Sequence, residues 1–183
     1  MAKDTQSKKA GSSPTVLKNK SSRIFSAGGI VYRQIDNQIL WFVRKTVASK
    51  LYPDQHWMLP KGWIDDAGPY KPGPMASGLI KADKKSLEDS AIREVREEGG
   101  FDAKIIKKIG TYFFSYNDPK LGKTLKFVTF FLMEYLNELP AGHDWETAEI
   151  AWLSFNEAGK ILSFGGEKQM LKKAQELLAD IQS

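Results

Sequence analysis

Within Arg93-Glu94-Val95-Arg96-Glu97-Glu98-Gly99-Gly100, three glutamates fall inside five residues just ahead of a glycine pair. A helix turns by ~100° per residue, so Glu94, Glu97 and Glu98 share an arc of roughly 100° and face one side. The helix itself is read from its surroundings. Ser86 is a suitable N-cap with Asp89 three residues on, Leu87, Ala91, Ile92 and Val95 recur at helical spacing, and Gly99-Gly100 supply the stop. Glu98 lies seven residues after Ala91, at the edge of the apolar stripe rather than opposite it. Like charges this close and partly desolvated repel one another unless a cation lies among them. The same string can also form a solvated face laced by i,i+4 pairs such as Arg93 with Glu97, so the flanking sequence has to separate the two readings.

Composition narrows the chemistry. The chain has 183 residues, a length suited to one domain, and 42% of them are hydrophobic, enough for a core. It contains no cysteine, which excludes disulfides, thiolate metal sites and cysteine nucleophiles and is compatible with a cytoplasmic location. With only His56 and His143, a histidine-rich zinc site is not expected either. A metal here should be a hard cation held by oxygens, Mg²⁺ or Mn²⁺.

Charge is unevenly placed. Lys3, Lys8, Lys9, Lys18, Lys20 and Arg23 face the single acid Asp4, which accounts for the whole formal net charge of +5. Residues 1–22 therefore read as a disordered basic tail, and residues 23–183 as the folded domain. Nucleic acid is not an expected partner except through that tail. No apolar run is long enough for a membrane span, and the first residues lack the hydrophobic stretch of a signal peptide.

From Arg23 onward the pattern is that of a β-rich domain. Ile24–Tyr32 reads as a strand with Gly28-Gly29 inside it, glycines that mark a bulge or a close backbone approach. Asp36-Asn37 makes a turn into a second, buried strand, Ile39–Val43. Trp57–Ile64 is a short apolar strand broken by Pro60-Lys61-Gly62. Residues 65–85 carry Pro and Gly without periodicity and read as a long inserted loop. After the helix, Ile105–Phe114 and Leu125–Leu136 pair across a turn at Asn117–Gly122. Ile150–Leu153 is a last strand, and Glu167–Ile181 an amphipathic helix. The order implies one α/β domain, a mixed sheet with helices packed on it.

The central stretch resembles the second half of the Nudix box, Arg-Glu-hydrophobic-x-Glu-Glu-x-Gly-hydrophobic. It is matched at Arg93, Glu94, Val95, Glu97, Glu98, Gly100 and Phe101. Leu59-Pro60-Lys61-Gly62 with Trp63-Ile64-Asp65 resembles the strand that leads into that box, and Ala27-Gly28-Gly29 and Glu146–Leu153 fit the same family. The resemblance covers the chain from about Arg23 onward. It is nearest the branch that cleaves dinucleoside polyphosphates or diphosphoinositol polyphosphates.

What the resemblance implies is a Nudix fold, a mixed sheet sandwiched between helices, that hydrolyses a nucleoside diphosphate linked to another moiety. Diadenosine tetraphosphate is the leading substrate, with oxidised nucleoside triphosphates and ADP-ribose still open. Glu94, Glu97 and Glu98 would hold Mg²⁺ or Mn²⁺, aided by the carbonyl of Gly62. Arg93 would orient those carboxylates. Lys61 and Arg44 are candidates for phosphate. The base would be a glutamate of the box or Glu146 in a later loop, with Glu149 or His143 as other loop candidates. Tyr112, on a strand with Phe114 and Tyr116 at period two, is a candidate platform for a nucleobase.

One departure stands out. The family's box places a glutamate eight residues before the arginine, and that position here is Lys85. About 20 residues separate Asp65 from the helix where the family has a short loop, a length expected of a lid or specificity segment. The departure and the basic tail keep a second reading open, a non-catalytic module acting as a nucleotide sensor or an RNA- or ribosome-associated protein.

Overall fold

In the computed structural model, residues 21–50, 52–69 and 71–183 are described. The expected tail, residues 1–22, lies outside them except for Ser21 and Ser22, and Ser22 already opens the first strand.

β1 (Ser22–Ile35) is the hub of the sheet and is almost wholly buried from Ile24 to Tyr32. Both of its faces are apolar, so helices can cover each. Asp36 and Asn37 adopt positive φ, 47° and 65°, the primed turn whose twist matches a hairpin, and return the chain as β2 (Gln38–Thr46). Two short strands follow, β3 (Trp57–Met58) and β4 (Lys61–Trp63), where the sequence suggested one strand broken by Pro60. The long hairpin β5 (Phe101–Asp118) and β6 (Gly122–Glu138) and the strand β7 (Thr147–Leu153) complete the sheet.

The strand order is β3-β2-β1-β6-β5, with β4 paired to β1 and β7 to β2. β1 runs parallel to β6 and antiparallel to β2, so the sheet is mixed. β1 also changes partner along its length. Its first half pairs with β4 (Ala27 with Gly62, Gly28 with Lys61) and its second half with β2 (Tyr32 with Trp41). Here the Gly28-Gly29 pair proves its use. A Cβ on Gly28 would lie 2.3 Å from Pro60 O and 2.6 Å from Lys61 Cβ, so only glycine lets β4 approach.

Helix α1 (Lys84–Gly99) packs Ala91 and Val95 on one face of the sheet, against Ala27, Val31, Phe42, Phe131 and Met133. Helices α2 (Phe155–Ile161) and α3 (Gly165–Gln182) cover the other face, where Met170, Leu171, Ala174 and Leu178 meet Ile30, Trp41, Phe130 and Leu132. Among the described residues, three helices and seven strands thus form the helix–sheet–helix sandwich. Among the described residues no helix is long and apolar enough to cross a membrane.

Two details depart from expectation. Asp83 rather than Ser86 caps α1, its Oδ1 accepting from Ser86 N at 2.7 Å, so the helix starts earlier. Helix α2 was not foreseen. It spans a single pair of turns with a glycine inside, too short for a periodic signal, although Ser154 and Glu157 form its capping box.

The inserted segment has turns and one bridge, Asp66 with Pro72, but also a fixed anchor. The Asp65 carboxylate accepts from Met75 N at 3.2 Å and Ala76 N at 2.7 Å, and Gly73 N donates to Asp65 O at 2.9 Å. Ala76 O in turn accepts from Phe25 N at 2.8 Å, fastening the segment to β1.

Candidate active site

The site forms where the carboxylate edge of α1 meets β4. Gly62 pairs with Ala27, on the face that α1 covers, and its missing side chain leaves the space that the Glu94 carboxylate fills. Glu94 is 6% exposed, and burial, reinforced by Glu97, pushes its carboxyl up to about 7 despite Arg93 beside it. Glu98 is more deeply buried and lies between Arg44, with which it pairs, and Lys61 N, which donates to Oε2 at 2.8 Å. Glu97, a turn away, is exposed.

Arg93 is the organiser. One of its guanidinium nitrogens meets Glu94 Oε1 at 2.7 Å and Glu97 Oε2 at 3.0 Å, and the other donates to Trp63 O at 2.7 Å. Burial opposes its charge, yet Glu94 and Glu97 hold it above the usual arginine value. Ser90 Oγ donates to the same Trp63 carbonyl at 3.1 Å. These bonds tie β4 to the helix without the acid that Lys85 replaces. Lys85 is exposed in the first turn of α1 and pairs with Asp89.

The loop before β7 closes the far end of α1. Asp144 N donates to Glu97 O at 2.7 Å, and Thr147 Oγ1 to Glu98 O at 2.9 Å. A left-handed Gly100 (φ 76°) ends the helix, and its Cα abuts the Gly142–His143 backbone, where a Cβ would come within 2.5 Å. Glu146 is thereby brought to the cluster. Burial, with Asp144 and Glu97 adding repulsion, raises its carboxyl above the ordinary range. His143 stays exposed and contacts Asp144 O.

Three sequence expectations need revision. Lys61 was expected to face phosphate, but its side chain lies on the opposite face of the sheet, buried, with its ammonium 2.7 Å from Glu167 Oε1. Arg44 is 5% exposed and committed to Glu98 and to Glu146 O. Tyr112 is not an open platform. Its ring stacks on Phe130 and Phe114 and lies under the Gly166 backbone, and burial with the Glu167 charge nearby raises its hydroxyl above the usual value.

Two groups escaped the sequence reading. Glu167 looked like one more acid on an amphipathic helix, yet it is fully buried. Lys126 looked like a polar interruption of a strand. Its ammonium is lowered to about 8 by burial and by Lys61, while Glu94 and Glu167 pull the other way, and the alternation of β6 puts it with Val128 and Phe130 on the face that α3 covers. Its i-spaced neighbours Thr124 and Val128 are buried, and a lysine alternating with buried residues is the signal that could have found it.

The donor set suits a hard divalent cation. Three carboxylates sit within one turn, two of them buried, and burial raises that of Glu94 to about 7. Among the described residues no three acids or histidines are gathered into a closed cage. Arginine explains this, since Arg44 draws Glu98 inward while Arg93 holds Glu94 and Glu97.

Comparison with known proteins agrees with this geometry. The sequence model of the NUDIX domain matches residues 23–175. A putative mutator protein MutT4 of Mycobacterium tuberculosis is 30% identical over 129 residues, 69% of this chain but only 44% of that protein. The chain thus spans less than half the length of that curated relative. Among solved structures, an Ap4A hydrolase of C. elegans in a binary complex superposes with a TM-score of 0.59 at 19% identity, covering 86% of this chain and 98% of the other. The NUDIX domain of Shewanella oneidensis NrtR, complexed with ADP ribose, gives 0.58 at 15% identity over 87% and 90% of the two chains. At such identities the structures attest to the fold. A glutamate-bearing helix laid against a glycine strand, in a mixed sheet between helices, defines the Nudix class of fold. The chain belongs to the Nudix family.

Proposed function

We propose that the chain is a metal-dependent pyrophosphohydrolase that cleaves a nucleoside diphosphate linked to another moiety, with a diadenosine tetraphosphate-like molecule as substrate. The observation that carries this reading is the Glu94 carboxylate buried over Gly62, with Glu97 and Glu98 on the same side of the helix. Such a cluster repels itself unless a cation is added.

Glu94, Glu97 and Glu98 hold Mg²⁺ or Mn²⁺ together with the Gly62 carbonyl. When bound, the cation supplies charge neutralisation at the pyrophosphate and makes water acidic enough to attack phosphorus. Arg93 orients Glu94 and Glu97 and, through the Trp63 carbonyl, keeps β4 in register with them. Glu146, whose raised carboxyl suits a base, takes the proton of the attacking water. Arg44, paired with Glu98 and donating to Glu146 O, keeps the helix and the loop before β7 together. The domain that does this is residues 23–183, with the Asp65-anchored insertion as its specificity loop, acting in the cytoplasm.

The test is hydrolysis of a panel with Mg²⁺, wild type against Glu98→Gln: diadenosine tetraphosphate, ADP-ribose, nucleoside triphosphates and a diphosphoinositol polyphosphate. Turnover of one member, lost in the variant, is the expected result. Folded protein that turns over none of them would overturn the catalytic reading in favour of a nucleotide-binding module, in which Arg44 and Arg93 permanently replace the metal.

A further inference from the structure

Lys61 is gripped from both sides of the sheet. Its N–H donates to Glu98 Oε2 on α1 at 2.8 Å, and its ammonium meets Glu167 Oε1 on α3 at 2.7 Å. The second contact is an ion pair rather than an aligned hydrogen bond. The other oxygen of Glu167 accepts Leu59 N at 2.8 Å, and the Lys61 ammonium also donates to Leu59 O at 3.3 Å. One buried carboxylate therefore fixes the residue before Pro60 and the residue after it.

This has a consequence for the opposite face. β4 is only three residues long and pairs with β1 through Ser26, Ala27 and Gly28. Such a short strand has few ladder bonds to set its height above the sheet, so the grip on Lys61 sets it instead. That height decides where Lys61 N presents itself to Glu98 and how closely Gly62 lies under Glu94. A carboxylate needed only to fill the core could be exchanged, with its partner, for apolar side chains of similar size at little cost. Glu167 also takes a backbone N–H, which an apolar side chain cannot do.

We infer that Glu167 is a positioning residue for the cation site: acting through Lys61 and Leu59, the C-terminal helix fixes the strand on which Glu98 is hung and over which Glu94 lies. The inference rests on the reading of Glu94, Glu97 and Glu98 as cation ligands. Partners one step removed from a metal commonly change its affinity by about 10- to 100-fold when lost, and an effect of that size is expected here.

The experiment compares wild type, Glu167→Gln and the paired variant Lys61→Met with Glu167→Leu. It measures Mn²⁺ binding by electron paramagnetic resonance, thermal melting, and kcat and KM on a substrate the wild type hydrolyses. Glu167→Gln should weaken Mn²⁺ about tenfold and lower kcat more than it raises KM. The paired variant leaves no lone buried charge but does leave the Leu59 N–H unpaired, so it should recover part of the melting temperature without recovering Mn²⁺ affinity. Unchanged Mn²⁺ affinity in Glu167→Gln, or recovery of affinity along with melting temperature in the paired variant, would overturn the inference. If Glu167→Gln does not fold, the paired variant decides alone by the same criterion. A wild type that binds no Mn²⁺ refutes the parent reading and this one with it, which sets that failure apart from a failure of Glu167.

Discussion

The carboxylate of Glu94 lies so close over Gly62 that a Cβ at that glycine would come within 2.1 Å of Oε2 and 2.3 Å of Oε1. The glycine is therefore the floor of the site rather than a flexible link. Gly62→Ala should displace Glu94, costing about 1–3 kcal/mol by overpacking and removing most cation binding. Calorimetric unfolding together with Mn²⁺ titration checks both, and an alanine variant with normal Mn²⁺ affinity would show that Glu94 has room to spare.

Glu94 also sets a pH dependence. Its folded pKa, about 7, lies above the 4.5 of a free glutamate, so between those values the folded chain binds more protons than the unfolded one. Stability is then highest below pH 4.5 as far as this group is concerned and falls as pH rises through about 7, by on the order of 3 kcal/mol. Glu94→Gln should flatten that part of the profile, and Mg²⁺ should reverse the loss at pH 8 while having little effect at pH 5. Melting curves across pH 5–8 with and without Mg²⁺ give the answer. A wild-type minus Glu94→Gln difference that does not change with pH would refute it.

Arg93→Lys keeps the charge but cannot reach Glu94, Glu97 and the Trp63 carbonyl together, because an ammonium is a single point whereas the guanidinium is a fork. Activity should fall at least tenfold, with the fold intact by circular dichroism. A lysine variant as active as wild type would mean that charge alone matters here.

Asp65→Ala should free the inserted segment from its anchor at Met75 and Ala76. Amide exchange at residues 73–80 should rise with no change in α1. Uniform exchange in both proteins would show that the Phe25–Ala76 bond holds the segment alone.

The sequence was sufficient for the parts of this protein governed by local spacing. Glu94, Glu97 and Glu98 share a helix face because a helix turns by a fixed angle. The Gly28-Gly29 pair announced a close backbone approach, and Asp36-Asn37 announced a turn, because few residues tolerate those conformations. The alternation of apolar strands and the amphipathic α3 were sufficient for an α/β sandwich. Tertiary structure alone determined which charges meet. Lys61 neighbours Gly62 in the chain, yet the pleat of β4 sends its side chain to the other face, where Glu167 lies more than a hundred residues away. Arg44 reaches Glu98 by the same long-range folding of strand onto helix. Pairing of this kind depends on register and on which face a side chain enters, and neither is written in the spacing of the residues that pair.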